Sequence, residues 1–149
     1  MQGFGIALSV AGIGVFLGAI LAPYGVAKFG RHRWIKFAMF ASAAAPLILA
    51  TSQTEIALSI TAFLASFFGQ NIKVTNDALV QSKIDDYYRG RVFAVYDVVV
   101  NGAIVSGGLI AALLLPTSGL TPNVPLVVSA AYFLVAVVVL RSAKFKAIY

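Results

Sequence analysis

Long apolar runs broken by short polar stretches recur five times along this chain. Read by run length and by the turn residues between runs, the pattern predicts helices over 4–26, 37–51, 56–82, 92–115 and 124–140. The first run carries no charged residue before Lys28, and the last is dense in valine and alanine. Several runs approach or exceed the roughly 18–20 residues that cross a hydrocarbon core of about 30 Å. The expected fold class is therefore all-α, a multi-pass bundle of five transmembrane helices forming a single domain over 1–149.

Composition strengthens that reading. The 149 residues are 60% hydrophobic and only 11% charged, with a mean hydropathy of +0.94, outside the range of ordinary soluble domains. The lipid bilayer is thus the first partner expected. A net charge of +6 raises the possibility of nucleic acid, but the basic residues lie between apolar runs without dense clustering or interleaved aromatics, so no nucleic-acid partner is expected. The absence of cysteine excludes disulfides and thiolate metal sites. The first run is too long, and lacks the basic flank, for a cleaved signal peptide.

The position of charge sets an expected topology. Lys28, Arg31, Arg33 and Lys36 fall between the first two runs, Lys83, Arg89 and Arg91 between the third and fourth, and Arg141, Lys144 and Lys146 after the fifth. The alternate connections, 51–55 and the proline- and glycine-rich 116–123, hold no Lys or Arg. An odd number of spans with this asymmetry puts the N-terminus outside and the C-terminus in the cytoplasm of a plasma or inner membrane. Trp34, within the basic stretch, is expected at headgroup level, and His32 is expected to be one more member of that basic loop. Pro46 is expected to kink the second helix, which its neighbours would tolerate.

Two helices carry more than hydropathy. In the first, Ala7, Ala11, Gly14, Gly18 and Ala22 recur at close to fourfold spacing, which lets a second helix backbone approach closely in lipid. In the third, Ser59, Ser66, Gln70, Lys73, Asp77 and Gln81 fall within about 80° on a helical wheel. Leu64, Phe68, Ile72 and Leu79 occupy the other side. Such a stripe avoids lipid, facing water or a polar helix. Lys73 is its costly member, roughly 25 Å along the helix. It has three possible roles: snorkelling to the interface, pairing with Asp77 or with Asp97 of the fourth helix, or contacting an anionic substrate or a coupling proton. Asp97 and Asn101 are one turn apart, and Asp97 is expected to pair with Arg31, Arg33 or Lys73 as a structural clasp.

Nothing in the sequence supports catalysis. There is one histidine, no G-x-S-x-G, no P-loop and no dinucleotide fingerprint, and the glycines recur at helix-packing spacing. Asp85 and Asp86 are adjacent and expected to be solvated. No enzyme activity and no cofactor is expected.

The segment 18–33, GAILAPYGVAKFGRHR, resembles the signature loop of the major facilitator superfamily, in which a glycine-rich helix end leads into a turn of the type D-R-x-G-R-R. Arg89-Gly90-Arg91-Val92-Phe93-Ala94, followed by Tyr96-Asp97 and Asn101, resembles the turn before the eleventh helix in bacterial exporter branches. The resemblance implies that the five helices correspond to the eighth to twelfth of a twelve-helix transporter. It implies that the third lines a central cavity, with Ser66, Gln70, Asn71, Lys73 and Asp77 as candidates to meet a small-molecule substrate. Gly30, Arg31 and Arg33, with Gly18, Arg89, Gly90 and Arg91, would form cytoplasmic gating turns, and Asp97 and Asn101 their structural partners. The first and fourth helices would sit between two halves and the second and fifth would face lipid. Proton-coupled efflux by alternating access would follow. Two departures stand out: the family's loop aspartate falls on Ala27, and five helices make up less than one half of such a transporter. The chain is therefore expected to be a fragment that needs an N-terminal half or another membrane protein. The competing expectation is a self-standing five-helix interaction or assembly subunit.

Overall fold

The computed structural model describes residues 2–114 and 121–142. They form α1 (Gln2–Phe29), α2 (Arg31–Thr51), α3 (Glu55–Lys83), α4 (Asp86–Leu114) and α5 (Asn123–Arg141), with no strand among the described residues. All five helices are long and apolar enough to cross a membrane. The apolar runs were thus a sound guide to the number of elements, and a poorer one to where they begin. The expected turn over 116–123 lies largely outside the described residues, as do position 115 and the basic residues 144 and 146.

The basic stretch 28–36 is helical apart from Gly30. There the backbone turns to φ 78°, ψ 147°, a region essentially reserved for glycine. The Gly30 amide donates to Val26 O (2.9 Å), and Trp34 N donates to Gly30 O (3.0 Å), so α1 and α2 meet across one residue. Likewise α4 begins at Asp86, not at 92, so Arg89, Gly90 and Arg91 lie in its first turns. Helices do not stop where hydrocarbon stops, and polar residues extend them into the interface. α3 starts almost where expected, because Thr54 accepts from Ala57 N (3.2 Å) as an N-cap and Glu55 complements the helix dipole.

Packing runs in the order α1, α3, α2, α5. α1 and α3 are parallel: Gly3 lies against Glu55, Gly14 against Phe63 and Phe67, and Gly18 against Phe67 and Gln70. The small residues of α1 serve this contact, and Ala7 and Ala22 are buried with Gly14 and Gly18. α2 runs antiparallel to α3 and to α5, marked by Phe37 on Phe68 and Phe40 on Phe133, each with ring centroids 5.6 Å apart. The second helix, which the resemblance implies to face lipid, has one side committed to other helices. That side buries Ile35, Ala38, Ser42, Ala43 and Ala45 between two neighbours.

Two hydroxyls join these helices around Pro46, whose missing N–H shortens the α2 ladder by one donor. Thr61 donates to Ala45 O (3.3 Å) and Ser129 to Ala43 O (2.6 Å), both buried. Single hydrogen bonds between membrane helices average about 0.6 kcal/mol and reach about 1.7. Ser129→Ala is therefore expected to lower stability by about that average, read from the midpoint of a detergent-denaturation curve. An unchanged midpoint would show that the hydroxyl contributes nothing. α4 stands apart. Among the described residues it packs extensively against none of the other helices, and every residue from 101 to 110 is exposed.

Candidate functional site

The polar stripe of α3 divides into two parts. Toward its Glu55 end, Ser59 Oγ donates to the carbonyl of Glu55 (2.9 Å), satisfied within its own helix. Ser66 and Gln70 border the glycines of α1: a Cβ built on Gly14 would lie 3.3 Å from that of Ser66, and one on Gly18 3.1 Å from that of Gln70. Both polar side chains therefore flank a tight helix contact.

Further along, Lys73 and Asp77 form an ion pair across one turn, Nζ to Oδ2 2.8 Å, with their side chains 41% and 23% exposed. α3 spans 29 residues, about 43 Å against a hydrocarbon core of about 30 Å. With the excess shared between the ends, Lys73 falls about 8 Å inside the hydrocarbon and Asp77 about 2–3 Å. The lysine stem thus points toward the nearer interface and finds a carboxylate on the way. The other carboxylate oxygen, Oδ1, is buried with no hydrogen-bond partner. Tyr96 of α4 stands close enough to interact with Asp77 and Lys73, and Asp97 acts on both Lys73 and Tyr96 at longer range. The sequence marks Tyr96 only as part of the Tyr96-Asp97 motif, without a link to α3; the fold brings it there.

Asn71 does not join this group. It is fully buried, accepts from Trp34 Nε1 (3.2 Å) and donates to Phe67 O (2.8 Å), while Thr75 Oγ1 donates to Asn71 O (2.8 Å). Trp34 correspondingly turns its indole N–H into the bundle, whereas a headgroup anchor would present it to the interface. Its ring fills the space that a Cβ on Gly25 would need.

The residues expected near the cytoplasmic end are dispersed. Arg31 is half-buried and Arg33 exposed. Arg89 pairs with Asp86 (2.5 Å) and donates from Nη2 to Gln81 O (3.2 Å) and Ile84 O (3.4 Å), so it caps the carbonyl end of α3 and holds the α3–α4 junction. Gly90 has open space around its Cα, and Arg91 is exposed. Asp97 is exposed and joins neither ion pair among the described residues, so the expected pairing with Arg31, Arg33 or Lys73 is not formed. Asn101 donates to the main-chain carbonyl of Asp97 (2.8 Å), not to its carboxylate. The larger cavity, about 510 Å³ between α2, α3 and α5, is lined by Pro46, Leu49, Leu58, Thr61, Val124 and Val128 among others. It opens at the Glu55 end of α3, away from Lys73 and Asp77.

Five membrane-length helices, charge gathered at one end and an ion pair inside a span define a multi-pass membrane protein. The chain belongs to the Major Facilitator Superfamily, which it matches over residues 1–146. It is similar to uncharacterized MFS-type transporters of Mycobacterium bovis and Mycobacterium tuberculosis, each 32% identical over 133 residues, 87% of this chain and 30% of the relative. The chain thus spans under a third of the length of these curated relatives. No solved structure matches it.

Proposed function

We propose that this chain supplies part of the transport path of a secondary transporter, and that Lys73 and Asp77 form its proton-coupled site for small-molecule efflux. The observation that carries this reading is the ion pair itself. Charges inside a span are costly and usually mark substrate or proton pathways, and this carboxylate has one oxygen bonded to lysine and the other buried, with Tyr96 as its near neighbour. A proton on Asp77 releases Lys73, and its departure re-forms the pair, giving two states that a substrate can bias. The charge asymmetry supports a cytoplasmic location for the Lys83 end of α3, with the N-terminus outside and the C-terminus inside. The exposed flank of α4, and the short share of the relatives that the chain covers, support function only in company with further helices.

The test is a chimera in which this chain replaces the matching stretch of the M. tuberculosis relative, expressed in a host stripped of its own dye exporters. It should lower the accumulation of a lipophilic dye, and an uncoupler should abolish the difference. Asp77→Asn should return accumulation to background. Efflux that survives the substitution, or that ignores the uncoupler, overturns proton coupling through this pair.

A further inference from the structure

A second, smaller cleft lies at the opposite end of α2 from the large cavity. Phe29, Arg33, Trp34 and Phe37 enclose about 260 Å³. Phe29 and Trp34 stack with centroids 5.7 Å apart and planes 6° apart, and Phe37 continues the wall at 5.8 Å from Trp34. Phe29 and Phe37 are both exposed, and the Lys28 ammonium sits 5.5 Å over the Phe29 ring. The cleft is therefore an apolar, largely aromatic trough walled in part by the stem of Arg33, with more cations close by in sequence, Lys28, Arg31 and Lys36. None of these four bases takes part in the ion pairs found among the described residues. An apolar wall beside unneutralised positive charge, at the end of a membrane bundle, fits an amphiphile with an apolar tail and an anionic head.

Size narrows the class further. Pockets that enclose whole small ligands measure about 300–1,000 Å³, so this one takes a chain segment and leaves the rest of the molecule outside. A free phosphate would leave the aromatic wall unused, and a zwitterionic lipid would leave the cationic charge unanswered. We propose that the cleft binds one anionic phospholipid, its acyl chain lying along Phe29, Trp34 and Phe37 and its phosphate held by Arg33. Basic pockets at the ends of membrane helices recognise anionic headgroups by this combination. The geometry adds a consequence: the lipid would brace the single-residue connection at Gly30, since wall residues come from both sides of it.

Trp34 is the only tryptophan in the chain, so its fluorescence reports on this cleft directly. The full chain in phosphatidylcholine vesicles should be quenched by brominated phosphatidylglycerol at about a fivefold lower mole fraction than by brominated phosphatidylcholine, the worth of one basic residue near an anionic surface. Arg33→Gln should remove about a fivefold preference, whereas Arg33→Lys and Arg141→Gln should keep it, with helicity checked for each by circular dichroism. If Arg33→Gln fails to insert, raised salt applied to the unaltered chain makes the same test, because exposed charge pairing is screened. Equal quenching by the two lipids shows only unselective bilayer contact and overturns the proposal. So does a preference that survives both the substitution and salt. Relief of quenching by inorganic phosphate alone would point to a phosphate site without a tail, and would overturn it too.

Discussion

Replacing Gly14 and Gly18 together by leucine is expected to separate α1 from α3 and to give the largest loss of stability of any pair of substitutions in α1. A Cβ at Gly14 would lie 2.6 Å from the carbonyl oxygen of Phe63 and 3.3 Å from the amide of Phe67. At Gly18 it would lie 2.5 Å from the carbonyl oxygen of Phe67. These neighbours are backbone, and a helix backbone cannot rotate aside as a long side chain does. Overpacking costs about 1–3 kcal/mol at one site. The two sites share one interface, so their effects are coupled and not strictly additive. In lipid no hydrophobic force restores the contact, because the tails are as apolar as the separated faces. Gly12→Leu is the control, since nothing lies within 4 Å of a Cβ there. Denaturation midpoints of the two variants in the same detergent decide the matter. A double variant as stable as Gly12→Leu would mean that α1 does not pack on α3 through these glycines.

Breaking the bond between Trp34 and Asn71 is expected to cost more in either single variant than in the double. Trp34→Phe leaves the Asn71 Oδ1 without its indole donor at a site of zero exposure, and Asn71→Leu leaves the indole N–H unpaired. An orphaned buried polar group costs about 1–3 kcal/mol, while exchanging both partners for apolar groups can be nearly neutral. The double variant Trp34→Phe/Asn71→Leu should therefore recover much of what each single change loses. Thermal unfolding followed by circular dichroism reads all four corners of the cycle, including the two without tryptophan. Simple additivity of the single losses would show that the bond is not formed. Gly25 belongs to the same contact, because any side chain there meets the indole ring.

How legible the fold was in the sequence depended on what each signal measures. Hydropathy marks the edges of the hydrocarbon, and it found all five spans. It stopped helices at the first cluster of charge, so it missed the first two turns of α2 and of α4. There Arg31 to Lys36, and Asp86 to Arg91, continue the backbone ladder into water. Gly30 and Thr54 were more reliable, because one permits a backbone angle that other residues resist and the other satisfies a free amide. The small-residue stripe of α1 announced close packing without naming α3 as the partner. The burial of Ser42, Ala43 and Ala45 left no periodic trace, since small side chains look alike whether they face lipid or protein. In the candidate site, Lys73 and Asp77 were visible because they are one turn apart on a single helix. The bond from Trp34 to Asn71 spans 37 positions and exists only through the antiparallel register of α2 and α3. Tyr96 reaches Asp77 only through the fold, from a helix that otherwise packs extensively against none of the others.

The helices described above differ in length, and a bilayer must accommodate all of them at once. α5 has 19 residues, about 28 Å, and α3 and α4 have 29 each, about 43 Å. A membrane near 30 Å already slightly exceeds the length of α5, while the longer pair must tilt or project beyond it. Thickening the membrane would therefore strain the bundle on one flank only. Beside α5 the lipid would have to compress, whereas α3 and α4 would simply stand more upright. Membrane thickness acts on this bundle as a lopsided load, borne first by its shortest helix and passed to α2 through the contact at Ser129.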